Sequence, residues 1–368
     1  MEELDIDQEL AKRLLVEGGI LILLNVPVGT EFGFDIKSWY TDENFKGIKM
    51  IPPGVHMISY SATNKHGDSA PKISFFHNFK TSEIVVKVWD TQAEELNMKD
   101  MPEEEKSRFR SDILNIDRCL APYPFEILKK WKKLSDSLTE DLIGKLTPES
   151  GVIRAALELS VVATKPEQED NSNLTRKERE ELLLPQLIPV PGTGIRLTPL
   201  PRDSYPPGSS PAEITKHSLD STYMLDSLIS TMEKQSDILA EIQFSFLCFL
   251  VGLSLEAFEH WKRLIILMCS CVSALQKRRE LYQQFLQVLE THLSHIPEDF
   301  LVDIVASENV VYTALRDLFR NMSDGDEVEG RLRCDAERLR HRLTLKFGWD
   351  FEDLDQETGD DAPVIVEL

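Results

Sequence analysis

His292 and His295 stand three residues apart in a run of helical spacing, with Glu290 and Glu298 beside them. Imidazoles so spaced face one side of a helix, and carboxylates nearby complete the donor types of a transition-metal site. No further ligand is announced, and a helix surface carrying two histidines explains the pattern with fewer demands. Cys269 and Cys271, with Cys248 upstream, raise the same question. Positions two apart on a helix point about 200° away from each other, so the pair cannot share one ion and core thiols are the better reading. Glu256 and His260, four apart, have the spacing of an ion pair bordering an apolar face. PGTGIRLTP at 191–199 contains Gly-x-Gly, but it follows no strand, opens no helix and is bracketed by prolines, which argues against a phosphate cradle. There is no Gly-x-Ser-x-Gly elbow, Walker lysine or His-Glu-x-x-His. No catalytic residue, metal ligand or cofactor is therefore expected. A hydrolase whose site is assembled in space is the enzymatic alternative.

Two basic stretches and the C-terminus offer binding rather than catalysis. LKKWKKL at 128–134 interleaves Trp131 with four lysines, a combination that grips RNA backbone and stacks a base. On a helix, however, Leu128, Trp131 and Leu134 form a buried stripe and the lysines a solvated face, and this reading is preferred. RLRCDAERLRHR at 331–342 is likewise a solvated arginine face, suited to an acidic partner or to the chain's own acidic tail. The tail from Asp350 to Leu368 holds eight acids and no base. It ends in Pro363, Val364, Ile365, Val366, Glu367 and Leu368, a strand-like run able to add itself to the edge of another protein's sheet. Folding back onto this protein's own sheet is the equal alternative.

The elements that must position these groups fall into two kinds. After a short helix over 1–17, runs rich in β-branched and aromatic residues occupy Ile20–Val26, Thr30–Asp35, Lys46–Ile51, Val55–Tyr60, Lys72–Phe79 and Glu83–Trp89, separated by turn signals. They predict an antiparallel sandwich or partly open barrel. Helices follow at 103–119, 124–138 and 139–146, the third extending toward Val162 because GVIRAALELSVVA shares the spacing. Ten of the nineteen prolines lie between Pro148 and Pro211, so this stretch reads as a linker with a short helix near 175–184. Ser210, Pro211 and Glu213 form a capping box that opens a helix with Ile214, Ser218, Ser221, Leu225 and Leu228 on one face.

Further helices are expected at 237–251, 254–274, 276–294, 298–306, 308–321 and 331–346, the last with a stripe of Leu332, Ala336, Leu339, Leu343 and Phe347. Ile238–Cys271 is the most apolar stretch and reads as two antiparallel core helices with Gly252 closing the first. Only fourteen residues separate Glu241 from Glu256, and a membrane span needs about 20. The expected fold class is α+β in two domains: residues 1–150, an antiparallel β-sandwich or barrel-like domain with trailing helices, and residues 210–349, an all-α helical bundle. Residues 151–209 are the linker and 350–368 the acidic tail.

The net charge of −22 and pI near 4.8 oppose a nucleic-acid phosphate backbone, so direct nucleic-acid binding is not expected. Nor is a membrane. MEELDIDQEL lacks the basic start of a signal peptide, and five cysteines without a framework spacing fit a reducing compartment. A soluble intracellular protein is the expectation.

GTEFGFD at 29–35, FKGIKMIPPGVH at 45–56, PYPFEILKKW at 122–131, PAEITKHSLD at 211–220, EIQFSFLCFLVG at 241–252, EAFEHWKRL at 256–264, IPEDFLVDIV at 296–305 and the terminal APVIVEL resemble the AAR-two (AAR2) pre-mRNA splicing factor family. The resemblance covers both expected domains and lapses in the linker. It implies a mostly-β N-terminal domain and a helical C-terminal one. It also implies a non-enzymatic role in assembling the U5 small nuclear ribonucleoprotein (snRNP), in cytoplasm and nucleus. The implied partner is the large U5 scaffold protein, the Prp-eight family, bound at its RNase H-like and Jab/MPN-like domains. Premature binding of RNA and of the Brr-two helicase would thereby be held back. The family's tail joins the scaffold's domains by strand addition, which here points to residues 363–368. An RNA-binding protein using 128–134 is the main rival.

Overall fold

The computed structural model describes residues 8–64, 67–161, 187–297, 309–324, 329–351 and 354. The chain divides into two compact units. One comprises the described parts of 1–125, 144–196 and 250–255, the other those of 126–143, 197–249 and 256–368.

In the first unit α1 (Gln8–Glu17) precedes β1 (Gly19–Leu24), β2 (Glu31–Phe34), β3 (Lys37–Tyr40), β4 (Gly47–Ile51), β5 (Gly54–Ser61), β6 (Ile73–Phe79), β7 (Ile84–Asp90) and β8 (Glu95–Leu96). Then come α2 (Glu103–Ile116), β9 (Ala121–Pro122), β10 (Ile153–Arg154), β11 (Leu159–Val161) and β12 (Leu187–Pro189). Two five-stranded sheets form, in the orders β8-β7-β1-β4-β9 and β10-β6-β5-β2-β3. Rings from both sheets meet between them: Tyr60 of β5 lies 5.6 Å from Trp89 of β7, edge to face. The second sheet is antiparallel throughout, as expected. The first is mixed, because β1 runs parallel to β7 and β4 parallel to β9. A strand covered on both faces suits such pairing. The even-numbered side chains of β1 pack with Phe109, Ile113 and Ile116 of α2, and Leu21 and Leu23 are buried on the other face.

Backbone contact explains one glycine. Gly47 has φ +132° and a Cβ there would meet the carbonyl oxygen of Leu21 at 1.9 Å, so β4 can approach β1 only with glycine at that place. The hairpin strand β3, missed in the sequence because Lys37–Tyr40 is short and largely exposed, closes one edge of the second sheet.

The extension of a helix toward Val162 is overturned. Ile153 and Arg154 pair with Ser74 and Ile73 at the edge of the second sheet, and Leu159–Val161 pairs with Leu187–Pro189. Sheet pairing outweighs weak helical spacing here, and Arg154 fastens the edge through a bidentate ion pair with Glu95. The expected helices near 175–184 and 298–306 lie outside the described residues.

The second unit holds α3 (Leu128–Ser135), α5 (Pro211–Leu219), α6 (Thr222–Ser230), α7 (Asp237–Leu250) but for its last residue, α8 (Leu255–Cys269) but for its first, α9 (Ser273–Lys277), α10 (Arg279–His295), α11 (Val310–Asp324) and α12 (Gly330–Phe347), with α4 (Glu140–Leu146) divided between the two units. In α7 every residue from Ile238 to Cys248 is buried, as an all-round apolar helix requires. The stripe of Leu332, Ala336, Leu339 and Leu343 on α12 is buried as expected. The capping box of Ser210 and Glu213 is present in full. Its helix stops early, however, because Asp220 leaves the helical conformation to cap other segments, so Ser221 becomes the N-cap of α6, and Leu225 and Leu228 lie on α6. In the turn after α7 the left-handed residue is Leu253, at φ +57°, rather than Gly252.

Candidate functional site

Residues 363–368, the expected strand-adding segment, lie outside the described residues. What the structure describes is the root of that tail. Gly348 ends α12 in the left-handed conformation, its N–H donating to Thr344 O at 3.0 Å. The chain then lays Trp349 and Phe351 onto α11. Phe351 is 3% exposed and meets Phe319 edge-on at 5.0 Å, and Trp349 stacks on Phe347 at 4.4 Å. Arg316 Nη1 and the Tyr312 hydroxyl both donate to the Asp350 carbonyl. The acidic tail is thus packed as far as Phe351. The sequence signal is the pair of aromatics in WDF at 349–351, which straddles the boundary expected between the helical domain and the acidic tail.

Of the histidines singled out above, His260 and His292 occupy the interior, whereas His295 is half-buried at the end of α10, its Nδ1 2.8 Å from the Thr291 carbonyl, and Glu298 lies outside the described residues. His292 is fully buried, not on a helix surface: Trp261 Nε1–H donates to its Nδ1 at 3.1 Å and its ring stacks on Phe246 at 3.9 Å. His260 pairs with Glu241, at 2.9 Å, a residue of the preceding helix. Glu241, 1% exposed, also accepts from the Thr198 N–H at 2.8 Å and hydroxyl at 2.7 Å. The Gly-x-Gly stretch therefore ends by strapping onto a buried carboxylate. Its Arg196 donates to the carbonyls of Gly144 and Thr147 at the end of α4, a helix cap rather than a phosphate site.

Cys248, Cys269 and Cys271 are core thiols. Burial pushes the first two well up, and Cys271 to about 12, where the nucleophilic thiolate is scarce. Another buried constellation, unsignalled in the sequence, joins Asp35, His56 and Tyr123: Asp35 Oδ2 accepts from Tyr123 at 2.7 Å and lies 2.8 Å from His56 Nδ1. His56 Nε2 meets the Pro52 carbonyl at 2.8 Å, so both ring nitrogens face acceptors and the trio braces the sandwich. These polar groups are spent on one another, and all three residues are at most 2% exposed. Among the described residues no group of three or more His, Cys, Asp or Glu could hold a metal ion. No helix among them is long and apolar enough to cross a membrane.

The basic stretch at 128–134 adopts the arrangement preferred from its spacing. Leu128, Trp131 and Leu134 are buried, and Lys129, Lys130, Lys132 and Lys133 are exposed.

Comparison with known proteins accounts for both units. Residues 17–148 match the AAR2 N-terminal domain and residues 197–352 the AAR2 C-terminal repeat region. The chain is 40% identical over 381 aligned residues to Protein AAR2 homolog of Homo sapiens, covering all of this chain and 98% of that protein. The Mus musculus homologue is likewise 40% identical with the same coverage. That of Caenorhabditis elegans is 36% identical over 93% of this chain and 97% of its own. With both domains matched and full-length relatives aligned from end to end, the chain belongs to the AAR2 family.

Proposed function

We propose that this protein is a U5 snRNP assembly factor of pre-mRNA splicing that works by binding, not catalysis. The observation that carries this reading is the AAR2 family match in both domains together with end-to-end similarity to full-length homologues. In this reading the partner is the C-terminal region of the large U5 scaffold of the Prp-eight family, with its RNase H-like and Jab/MPN-like domains. The two compact units supply the bulk that keeps the Brr-two helicase and RNA from binding prematurely, and the protein works in cytoplasm and nucleus.

The tail supplies the anchor by adding residues 363–368 to a sheet edge of the scaffold. Its packed root supports this: fourteen residues follow Leu354, enough to reach about 46–50 Å when extended. The strong negative charge favours exclusion of RNA.

The test is co-elution on size exclusion with the scaffold's RNase H–Jab/MPN region, using the full chain and a chain ending at Asp361. Co-elution that weakens without the last residues supports strand addition as the anchor. Binding indifferent to the truncation moves the interface to the globular units. Failure of both chains to bind removes the assembly-factor reading.

A further inference from the structure

The two basic stretches, almost two hundred residues apart in the sequence, meet at one cleft of the helical unit. It has a volume of about 620 Å³ and is polar, with Lys133 and Ser137 on one wall, Gln284, Gln287 and Thr291 on the floor, and Arg342 on the other wall. The floor is the outward stripe of α10. Gln284 and Thr291 stand two turns apart, about 10 Å along the axis, which matches about three residues of extended peptide.

Two carboxylates also line the cleft, and the fold has already engaged both. Asp136 accepts from Gln243 Nε2 at 2.7 Å and from the Ser137 hydroxyl at 3.2 Å, and Glu290 is paired with Arg342. The ammonium of Lys133 has no such partner among the described residues, nor have those of Lys129 and Lys130, one turn back on the same side of α3. With Arg342 and Glu290 paired, the three lysines of α3 stand against the single charge of Asp136, so the charge on this side of the cleft is net positive, on a chain whose net charge is −22. Glutamine amides on the floor provide both donors and acceptors, the complement of a peptide backbone rather than of a base edge. A phosphate strand would have to pass Asp136 and Glu290 in succession, whereas an acidic peptide can set its carboxylates at the lysines and its amides over the floor.

We propose that this cleft binds a short acidic peptide segment of a partner protein. Neither the strand-adding tail nor the family match assigns such a site, and the two readings stand or fall separately.

The test uses the full chain and a fluorescein-labelled twelve-residue peptide of alternating Glu and Gly, read by anisotropy at low and physiological salt. A basic peptide of equal length and a single-stranded RNA of twelve nucleotides serve as competitors. Saturable binding of the acidic peptide that weakens with salt is expected. It should fall about tenfold in the double variant Lys129→Glu, Lys133→Glu and be unchanged in Lys277→Glu, a lysine of α9 outside the cleft. Because none of these lysines holds a structural pair, circular dichroism and melting should match the parent, which keeps the comparison interpretable. Absent binding, binding indifferent to the double variant, or preferential displacement by RNA would each overturn the proposal. So would binding that emerges only in a chain ending at Leu354, which would hand the cleft to the chain's own acidic tail.

Discussion

The indole N–H of Trp261 donates to Nδ1 of His292 at 3.1 Å in the centre of the helical unit. Since Nδ1 accepts, the proton of the neutral ring sits on Nε2, which is buried and has no hydrogen-bond partner among the described residues. Burial holds the imidazole well below its usual range, with His295 adding a smaller repulsion. A group whose folded pKa is depressed binds its proton in the unfolded chain first. Stability is therefore complete above the unfolded value near 6.5 and declines as pH falls below it. The expected slope from this residue is about 1.4 kcal/mol per pH unit. Because the unfolded imidazole is already half protonated at pH 6.5, urea unfolding at pH 6.5 and 5.5 should show a drop about 1 kcal/mol larger in the parent than in His292→Phe. Equal drops would show that His292 is not the responsible group.

Asp220 joins the start of α6 to the start of α9. It accepts from the N–H and hydroxyl of Thr222, the N–H of Val272, and the N–H and hydroxyl of Ser273. Burial alone would raise its carboxyl, yet the bonds from Ser273, Thr222 and Val272 prevail and hold it below the usual carboxylate range. Asp220→Ala removes caps from two helices and should cost about 1–3 kcal/mol, measured by thermal or urea unfolding. Because the folded pKa is depressed, this contribution should fade as pH drops below about 4.

Trp131 is 1% exposed, whereas the lysines beside it are on the surface. Trp131→Ala should destabilise by about 3–5 kcal/mol, and Lys129→Ala or Lys130→Ala by no more than about 0.5 kcal/mol. Were the tryptophan a base-stacking platform instead, its replacement would leave stability nearly unchanged and abolish RNA binding; paired melting and RNA-binding measurements separate the two.

Phe351 is the last aromatic of the tail's packed root. Phe351→Ala should cost about 3 kcal/mol locally and release Trp349 and α11 to faster amide exchange, while exchange in β1 and β7 stays as before. In the co-elution assay it should weaken scaffold binding less than removal of the strand-like end, because it lengthens the free arm without deleting the pairing segment.

Much of the architecture was legible in the residues themselves. The strands around Gly54, the capping box at Ser210, the buried stripe of α12 and the wholly apolar α7 are determined by alternation, helical spacing and local caps, which act over a few residues. So were the solvated lysines of α3, since one face of a short helix must hold Leu128, Trp131 and Leu134. The strings that announced the AAR2 family also lie in the sequence, and the family match confirms them. The tertiary structure alone decided which polar side chains meet. Periodicity sets Glu256 one turn from His260, yet Glu241 of α7 also reaches that ring, at 2.9 Å; it puts His292 beside His295, but Trp261 and Phe246 claim the ring for the core. Tertiary pairing with β6, and not their helical spacing, makes Ile153 and Arg154 a sheet edge. Spacing reports which face an element buries, whereas a buried polar atom takes the partner that packing brings to it from distant parts of the chain.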